Sequence, residues 1–425
     1  MNPSQKLDEV TDITLRDGRI ASIGPAHAGA EATVDAAGLI VCPGLIDIHV
    51  HLREPGGETA ENIESGTRAA AAGGFTAVAC MPNTRPPIAD ADTIRFVLDK
   101  AARVGSCRVY PVAAMTTGRQ GKTPVDMAAL MAAGAVAFSD DGAGLDDDEV
   151  ARAVFEQAAA CGALLMQHCE VAALVGDGCV NAGPLAEALD LPGIDPAAEE
   201  QMIARDLDLL RRFPARYHVS HISTAGAVEQ VRAAKATGLP VTAEVTIHHL
   251  TLTQESVLRL GPNAKMKPPL RTAADVEACQ RGLADGTIDC IATDHAPHPS
   301  EAKARGLKEA PFGIIGLESA WPLAYKALVE SGKLDVMGLI GRMSCAPARI
   351  LGRKAQGTLA PGSEADVSLI DPGHEWVLDV STIFSKSNNS PFLGWHLIGR
   401  SVVTFVGGAC AYWHPDVASR LKGFA

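Results

Sequence analysis

The sequence predicts an α/β fold: a (β/α)8 TIM-like barrel with a small β-sandwich domain formed by both termini. Three observations carry this. Short apolar runs alternate with amphipathic helical stretches eight times between residues 45 and 298. Nearly every run ends in His, Asp, Asn or Glu. The stretches at 12–41 and 357–412 read instead as short strands and turns.

The eight runs are LIDIHVHL 45–52, FTAVACMPN 75–83, RVYPVAAMT 108–116, AVAFSDDG 135–142, ALLMQHCE 163–170, RYHVSHIS 216–223, PVTAEVTIHHL 240–250 and DCIATDHAPH 289–298. Helical candidates lie between them at 90–104, 146–162, 195–212, 224–238 and 273–286. Strands separated by helices pair in parallel, and eight such units suit a closed barrel. An open doubly wound sheet would alternate in the same way, but no GxGxxG follows the first run. The division expected is 1–43 and 356–425 for the β-sandwich and 44–355 for the barrel.

A chain of 425 residues, 47% hydrophobic and 20% charged, supports a large core. Its formal net charge of −13 argues against a nucleic-acid or anionic-membrane partner, so any anionic ligand must be met by local cations. No apolar run reaches the roughly 18 residues of a membrane span. The start MNPSQKLDEV lacks an apolar leader stretch, so a cytoplasmic location is expected. The ten cysteines include no CxxC pair, and Cys42, Cys80, Cys169 and Cys290 sit in strand-like stretches. That pattern reads as buried free thiols.

The first run shows the chemistry most openly. At period 2, Ile46, Ile48, Val50 and Leu52 face one way, and Asp47, His49, His51 and Arg53 the other. An apolar core would not accept the second set unpaired. Later runs end in Asn83, in Asp140 and Asp141, in His168 and Glu170, in His218 and His221, in His248 and His249, and in Asp294, His295 and His298. Singly, each has an ordinary reading: SDDG as a turn, TDH as a helix cap, a strand histidine as a hydrogen-bonded core residue. Together they are not ordinary, because the C-terminal ends of barrel strands converge on one mouth. Four His and two Asp there offer nitrogen and oxygen ligands suited to Zn²⁺, and more of them than one ion needs. A two-metal site with one bridging carboxylate fits the count and points to hydrolysis of an unreactive bond.

GLIDIHVHLREPG, MPNTRP, AFSDDG, HCE, VSHIST and ATDHAPH together resemble the amidohydrolase superfamily, and within it the type I (class I) bacterial dihydroorotases. PFGIIGLE 311–318, GSEADVSLID 362–371 and SKSNNSPFLGW 385–395 match later signatures of that group. The resemblance implies a zinc-dependent cyclic amidohydrolase that interconverts N-carbamoyl-L-aspartate and L-dihydroorotate in pyrimidine (UMP) biosynthesis. It implies His49, His51 and Asp294 on a first zinc, His168 and His221 on a second, and Asp141 bridging, with one or two Zn²⁺ per subunit. It implies Asp294 as general acid/base. Substrate contacts would come from His51, Arg53, Asn83 and His298, with Phe312 and Gly313 against the ring. Arg53 suits a carboxylate on its own chemistry, since guanidinium offers a bidentate fork. The polar stretch 299–313 suits a flap over the mouth. Partners implied are the small-molecule substrate, aspartate carbamoyltransferase and further copies of the chain.

One departure stands out. The family reads NPPLR where this chain has NAKMKPPLR, which puts Lys267 at a position where Asn touches substrate; Asn263 lies nearby. Two other readings compete. An allantoinase- or hydantoinase-like enzyme would share the barrel, but it bridges its metals with a carboxylated lysine on the fourth strand, and GAVAFSDDG has none. A non-catalytic scaffold subunit for aspartate carbamoyltransferase would be expected to have lost ligands, and all six are present.

Overall fold

Apolar runs bounded by turn residues form eight parallel strands: β1 (Leu45–Val50), β2 (Phe75–Cys80), β3 (Arg108–Ala113), β4 (Ala137–Phe138), β5 (Leu164–Gln167), β6 (Arg216–Val219), β7 (Val241–Thr246) and β8 (Cys290–Ala292). This computed structural model describes residues 1–25 and 31–423. The strands lie side by side in chain order within one sheet. The ring closes where Val50 bridges His295 in parallel and the His51 N–H donates to the His295 carbonyl at 2.8 Å. The crossovers run through α1 (Ile63–Ala72), α2 (Ala91–Val104), α3 (Met127–Ala133), α4 (Asp148–Cys161), α5 (Ala197–Arg212), α6 (Ala225–Ala236) and α7 (Ala273–Asp285), and helical turns over 317–350 follow β8. Local chemistry fixes several helix starts. Asn62, Asp90 and Thr272 form reciprocal capping boxes at α1, α2 and α7.

Period-2 alternation splits the barrel strands between two cores. Ile46, Ile48, Ala77, Ala79, Met81, Val112, Ala137, Leu164 and Met166 fill the lumen, where Ala346, Ala348 and Ile350 pack against them. The opposite residues, such as Val78, Val109, Phe138, Tyr217 and Val245, pack under the helices. In β6 and β7 the lumen positions are polar: His218, Thr242, Glu244 and Thr246. This polar sector opens toward the mouth.

Strict alternation through β1 does not hold. Ile46 and Ile48 face the lumen, but Val50 and Leu52 join the outer core. The pairing of β1 with β2 slips between Asp47 and Val50. Such a bulge lets two successive side chains share a face, which turns His49 and then His51 into the mouth. Other expected strands end early. The continuous strands end at Phe138 and at Ala292, and the end of the seventh run enters a short helix, Ile247–Thr251, capped by Thr246. The residues beyond are loops that carry the mouth.

Both chain ends build the β-sandwich. Ile40–Pro43 pairs antiparallel with Val367–Val377, which pairs with His396–Val406, which pairs with Ala409–Trp413. The hairpin Ile13–Arg16/Arg19–Ile23 packs across them. Ile20, Leu359, Val367, Leu369, Val403 and Phe405 form its separate core. Residues 357–366, read as strand-like from sequence, are turns and coil. All ten cysteines are free and seven are buried, as expected. Among the described residues no helix is long and apolar enough to cross a membrane.

Candidate active site

The site begins with strand ends that bend. Arg53 (φ +59°), His221 (φ +35°) and Asp294 (φ +46°) all occupy left-handed backbone, which non-glycine residues adopt only where their surroundings hold them. Each follows a barrel strand, and each bend aims a side chain across the mouth.

Six expected ligands meet there. Asp141 is at the centre. Its Oδ1 lies 3.2 Å from His49 Nε2, 3.6 Å from His168 Nδ1 and 3.7 Å from His221 Nε2, and its Oδ2 lies 3.6 Å from His51 Nε2. Asp294 Oδ1 lies 2.9 Å from His51 Nε2 and 3.7 Å from His49 Nε2. All six residues are buried. Two overlapping groups have ligand atoms close enough for one ion each: His49–His51–Asp294 and His49–Asp141–His221.

The donor set fits a metal. Tetrahedral bonds of 2.0–2.1 Å place ligand atoms about 3.3 Å apart, a value that these separations, 2.9–3.7 Å, straddle. His49 Nε2 is fully buried and, among the described residues, has no hydrogen-bond partner. Its other nitrogen is fixed: Nδ1 lies 2.6 Å from Glu244 Oε1, so it carries the proton and leaves the Nε2 lone pair facing Asp141 and Asp294. A carboxylate behind a histidine is the usual way to orient a metal ligand.

Glu244 is the residue that reading the strand ends misses. It sits within β7, 3.2 Å from His218 Nε2 on its other oxygen. His218 Nδ1 in turn lies 2.8 Å from Thr242 Oγ1. Burial alone would raise the Glu244 carboxyl, but His49 and His218 against its two oxygens outweigh it and hold it at about 2. The signal was present: an acid in the middle of PVTAEVT, on the lumen side with Thr242 and Thr246. Asp47, expected on the polar face of the first run, also turns out to support His49. It accepts from the His49 N–H at 3.0 Å and from the Thr293 hydroxyl, tying β1 to β8.

The two aspartates of SDDG part ways. Asp140 turns outward and accepts from the backbone N–H groups of Met115 (2.8 Å) and Thr116 (3.2 Å) and from the Thr116 hydroxyl. It braces the loop after β3. Asp141 alone enters the mouth.

Around the cluster stand the expected substrate groups. Asn83 Oδ1 lies 2.8 Å from His51 Nδ1, and its amide donates to Asp141 Oδ2 at 3.1 Å. Arg53 donates to the Pro297 carbonyl at 3.2 Å, with Nη2 3.2 Å from His298 Nε2. Burial, then the Arg53 charge, push His298 down to about 3, so its imidazole is neutral. Its Nε2 donates to the Phe312 carbonyl at 2.8 Å. Phe312 lies under Lys265 Nζ, 4.4 Å from the ring centroid. Gly313 has φ +118°, and a Cβ there would meet Ala296 Cβ at 2.6 Å, so only glycine fits. Lys267 turns onto Glu170, at 2.7 Å from Oε1, while Glu170 Oε2 lies 3.2 Å from His168 Nε2. Of the other rim residues, His249 is tied off by Thr246 and the Pro268 and Pro269 carbonyls, and His295 faces Glu61.

A barrel mouth lined by this His/Asp set, with the Arg53 guanidinium beside it, has the groups of a metal-dependent hydrolase. Comparison with known proteins agrees and narrows it. A family model described as dihydro-orotase-like matches residues 38–227. The chain is 47% identical over 414 residues to a dihydroorotase of Geobacter sp. (strain M21), covering 97% of each. It is 48% identical over 417 residues to a dihydroorotase of Syntrophotalea carbinolica, covering 98% of each. Among solved structures it resembles the L-hydantoinase (dihydropyrimidinase) of Arthrobacter aurescens, with TM-score 0.85 and 27% identity over 95% of this chain and 92% of that one. The chain belongs to the dihydroorotase family.

Proposed function

We propose that the chain is a type I (class I) dihydroorotase, closing N-carbamoyl-L-aspartate to L-dihydroorotate and reopening it. The observation that carries the reading is the joint placement, in one mouth, of the two candidate metal groups, with His168 3.6 Å from Asp141 beside them, and the Arg53–His298 wall. His49, His51 and Asp294 would hold one zinc, His168 and His221 a second, and Asp141 both. Bound there, zinc supplies Lewis-acid polarisation of the reacting carbonyl and lowers the pKa of water.

The chain's own groups do the rest. Arg53, with Asn83 and His298, binds the carboxylate common to both substrates. His51 stands beside them, next to the reacting edge. Phe312 and Gly313 form the roof over the ring. In hydrolysis Asp294 takes a proton from the attacking water and delivers it to the departing ring nitrogen, as the amide C–N bond breaks and the new C–O bond forms. In ring closure the same proton returns by the same carboxylate. Asp141, rather than a carboxylated lysine, stands at the end of β4, which favours this reading over a hydantoinase-like one.

Purified protein should turn over dihydroorotate and carbamoyl-aspartate, not hydantoin or allantoin, and should carry one to two zinc ions per chain. Turnover of hydantoin alone would replace the reading. We place the enzyme in the cytoplasm as a homo-oligomer, with aspartate carbamoyltransferase as its candidate partner. Size-exclusion chromatography with and without that enzyme tests both associations.

A further inference from the structure

The segment 299–313, which leaves the mouth after His298 and returns to it where the Phe312 carbonyl meets His298 Nε2, contains a buried charge that the chemistry above does not use. Lys303 ends a short helix, Ser300–Lys303, and is only 4% exposed. Among the described residues no carboxylate pairs with it. Its ammonium donates instead to three backbone carbonyls: Gly313 at 2.9 Å, Pro311 at 3.0 Å and Lys265 at 3.2 Å. Those carbonyls come from two segments: the loop after β7 and the roof turn that carries Phe312 and Gly313.

The same turn is held from other sides. The Gly313 N–H donates to the Lys265 carbonyl at 3.0 Å. The Asn389 amide donates to the carbonyls of Gly313 and Ala296, both at 3.1 Å, while its oxygen accepts from the His298 N–H at 3.0 Å. Lys303 is therefore the hub from one side and Asn389 from the other. Between them, residues 304–309 are largely exposed.

A buried ammonium without an anion is a poor stabiliser. Its desolvation is offset only by neutral carbonyls, and an apolar side chain of similar length is often no worse for stability. Burial, with the Lys265 charge, pushes this lysine down to about 7. The gain that Lys303 brings is thus in geometry. We propose that Lys303 is a positioning residue: it latches the 299–313 segment onto the β7 loop and so sets the Phe312–Gly313 roof in its ligand-ready place. This rests on the function proposed above only for the identity of the ligand.

The test is Lys303→Met in the full, metal-loaded chain. Trypsin has exposed sites after Arg305 and Lys308 in this segment. Without substrate, K303M should be cut there at least tenfold faster than wild type, with zinc content unchanged and Tm equal or higher. KM for dihydroorotate should rise about tenfold, with kcat within about threefold. K303R keeps the cation and should restore trypsin resistance and most of KM. K303Q keeps part of the donor set and should fall between. Wild-type proteolysis in K303M overturns the latch. So does a lower Tm with unchanged KM, which would mark a structural residue. Should K303M not fold, the order wild type, K303R, K303Q in cleavage rate decides, and any other order overturns it. Proteolysis needs no substrate, so its failure counts against the latch alone. Absence of dihydroorotate turnover in wild type counts against the proposed function alone.

Discussion

Replacing Glu244 by Gln should loosen the metal proposed at His49 without unfolding the barrel. The side chain keeps its volume in a fully buried place between His49 and His218. The glutamine oxygen can still accept from His49 Nδ1. Its amide must then donate to His218 Nε2, which requires His218 to move its proton to Nδ1, where Thr242 Oγ1 can accept it. What is lost is charge. A hydrogen bond to an ionised partner is worth about 1.5–3 kcal/mol and a neutral one about 0.5–1.5. The difference of about 1–1.5 kcal/mol corresponds to roughly tenfold in affinity. That falls at the low end of the 10–100-fold seen when the partner of a ligating histidine is changed. Glu244→Ala should be far worse, because it strands two buried imidazoles. Competition against a chromophoric zinc chelator reads the affinity, and thermal melting of the metal-free protein reads the fold. Wild-type zinc affinity in E244Q would show that Glu244 does not orient His49.

Other perturbations separate the roles in the mouth. Arg53→Met should lower kcat/KM by roughly two orders of magnitude, the scale of a lost charge-assisted contact, while zinc content stays unchanged; loss of zinc would make Arg53 structural. Asp141→Ala should weaken both metals together, since its two oxygens face four histidines, and Asp140→Ala should keep them while lowering Tm, because the 115–116 backbone loses its acceptor; zinc analysis and melting curves distinguish the two. Asp294→Asn should retain a ligating oxygen and the fold yet lose activity by several orders of magnitude, and a variant within tenfold of wild type would remove Asp294 as the proton carrier. Metal-stripped enzyme should recover on adding Zn²⁺ in CO₂-free buffer, and a need for bicarbonate would mean that a carboxylated lysine is involved after all.

The barrel was legible because its signals are local and periodic. Apolar runs and helix-length spacers recur along the chain, and the eight strands lie where those runs do. The convergence of polar groups followed from the architecture, since a parallel barrel gathers its strand ends. What period and spacing could not supply was the departure from regularity. Strict alternation puts Asp47 with His49 and His51, yet the slip between Asp47 and Val50 sends Asp47 to Thr293 while both histidines enter the mouth. That slip depends on how β1 meets β2, a tertiary event with no residue of its own to announce it. The parting of Asp140 and Asp141 was expected from alternation, but the partners of Asp140 lie 24 and 25 residues earlier in the chain.

The residues whose role escaped notice share a physical character. Glu244, Asp47, Lys303 and Asn389 are not among the expected metal or substrate contacts; each holds a residue that is. Their side chains are polar and almost wholly enclosed, so every donor or acceptor must be matched by a specific partner from another element. A sequence shows such a residue as an anomaly, an acid within an apolar strand or a lysine within a polar flap, but not the partner that resolves it. Only the fold brings Glu244 to His49 from β7 to β1 and Lys303 to the carbonyls of two segments. The mouth therefore depends on two kinds of residue: those whose chemistry names them, gathered by strand order, and those whose burial makes sense only once that order is known. The strain at Arg53, His221 and Asp294 belongs to the second kind, because left-handed backbone at three strand ends persists only while the enclosing hydrogen bonds hold it.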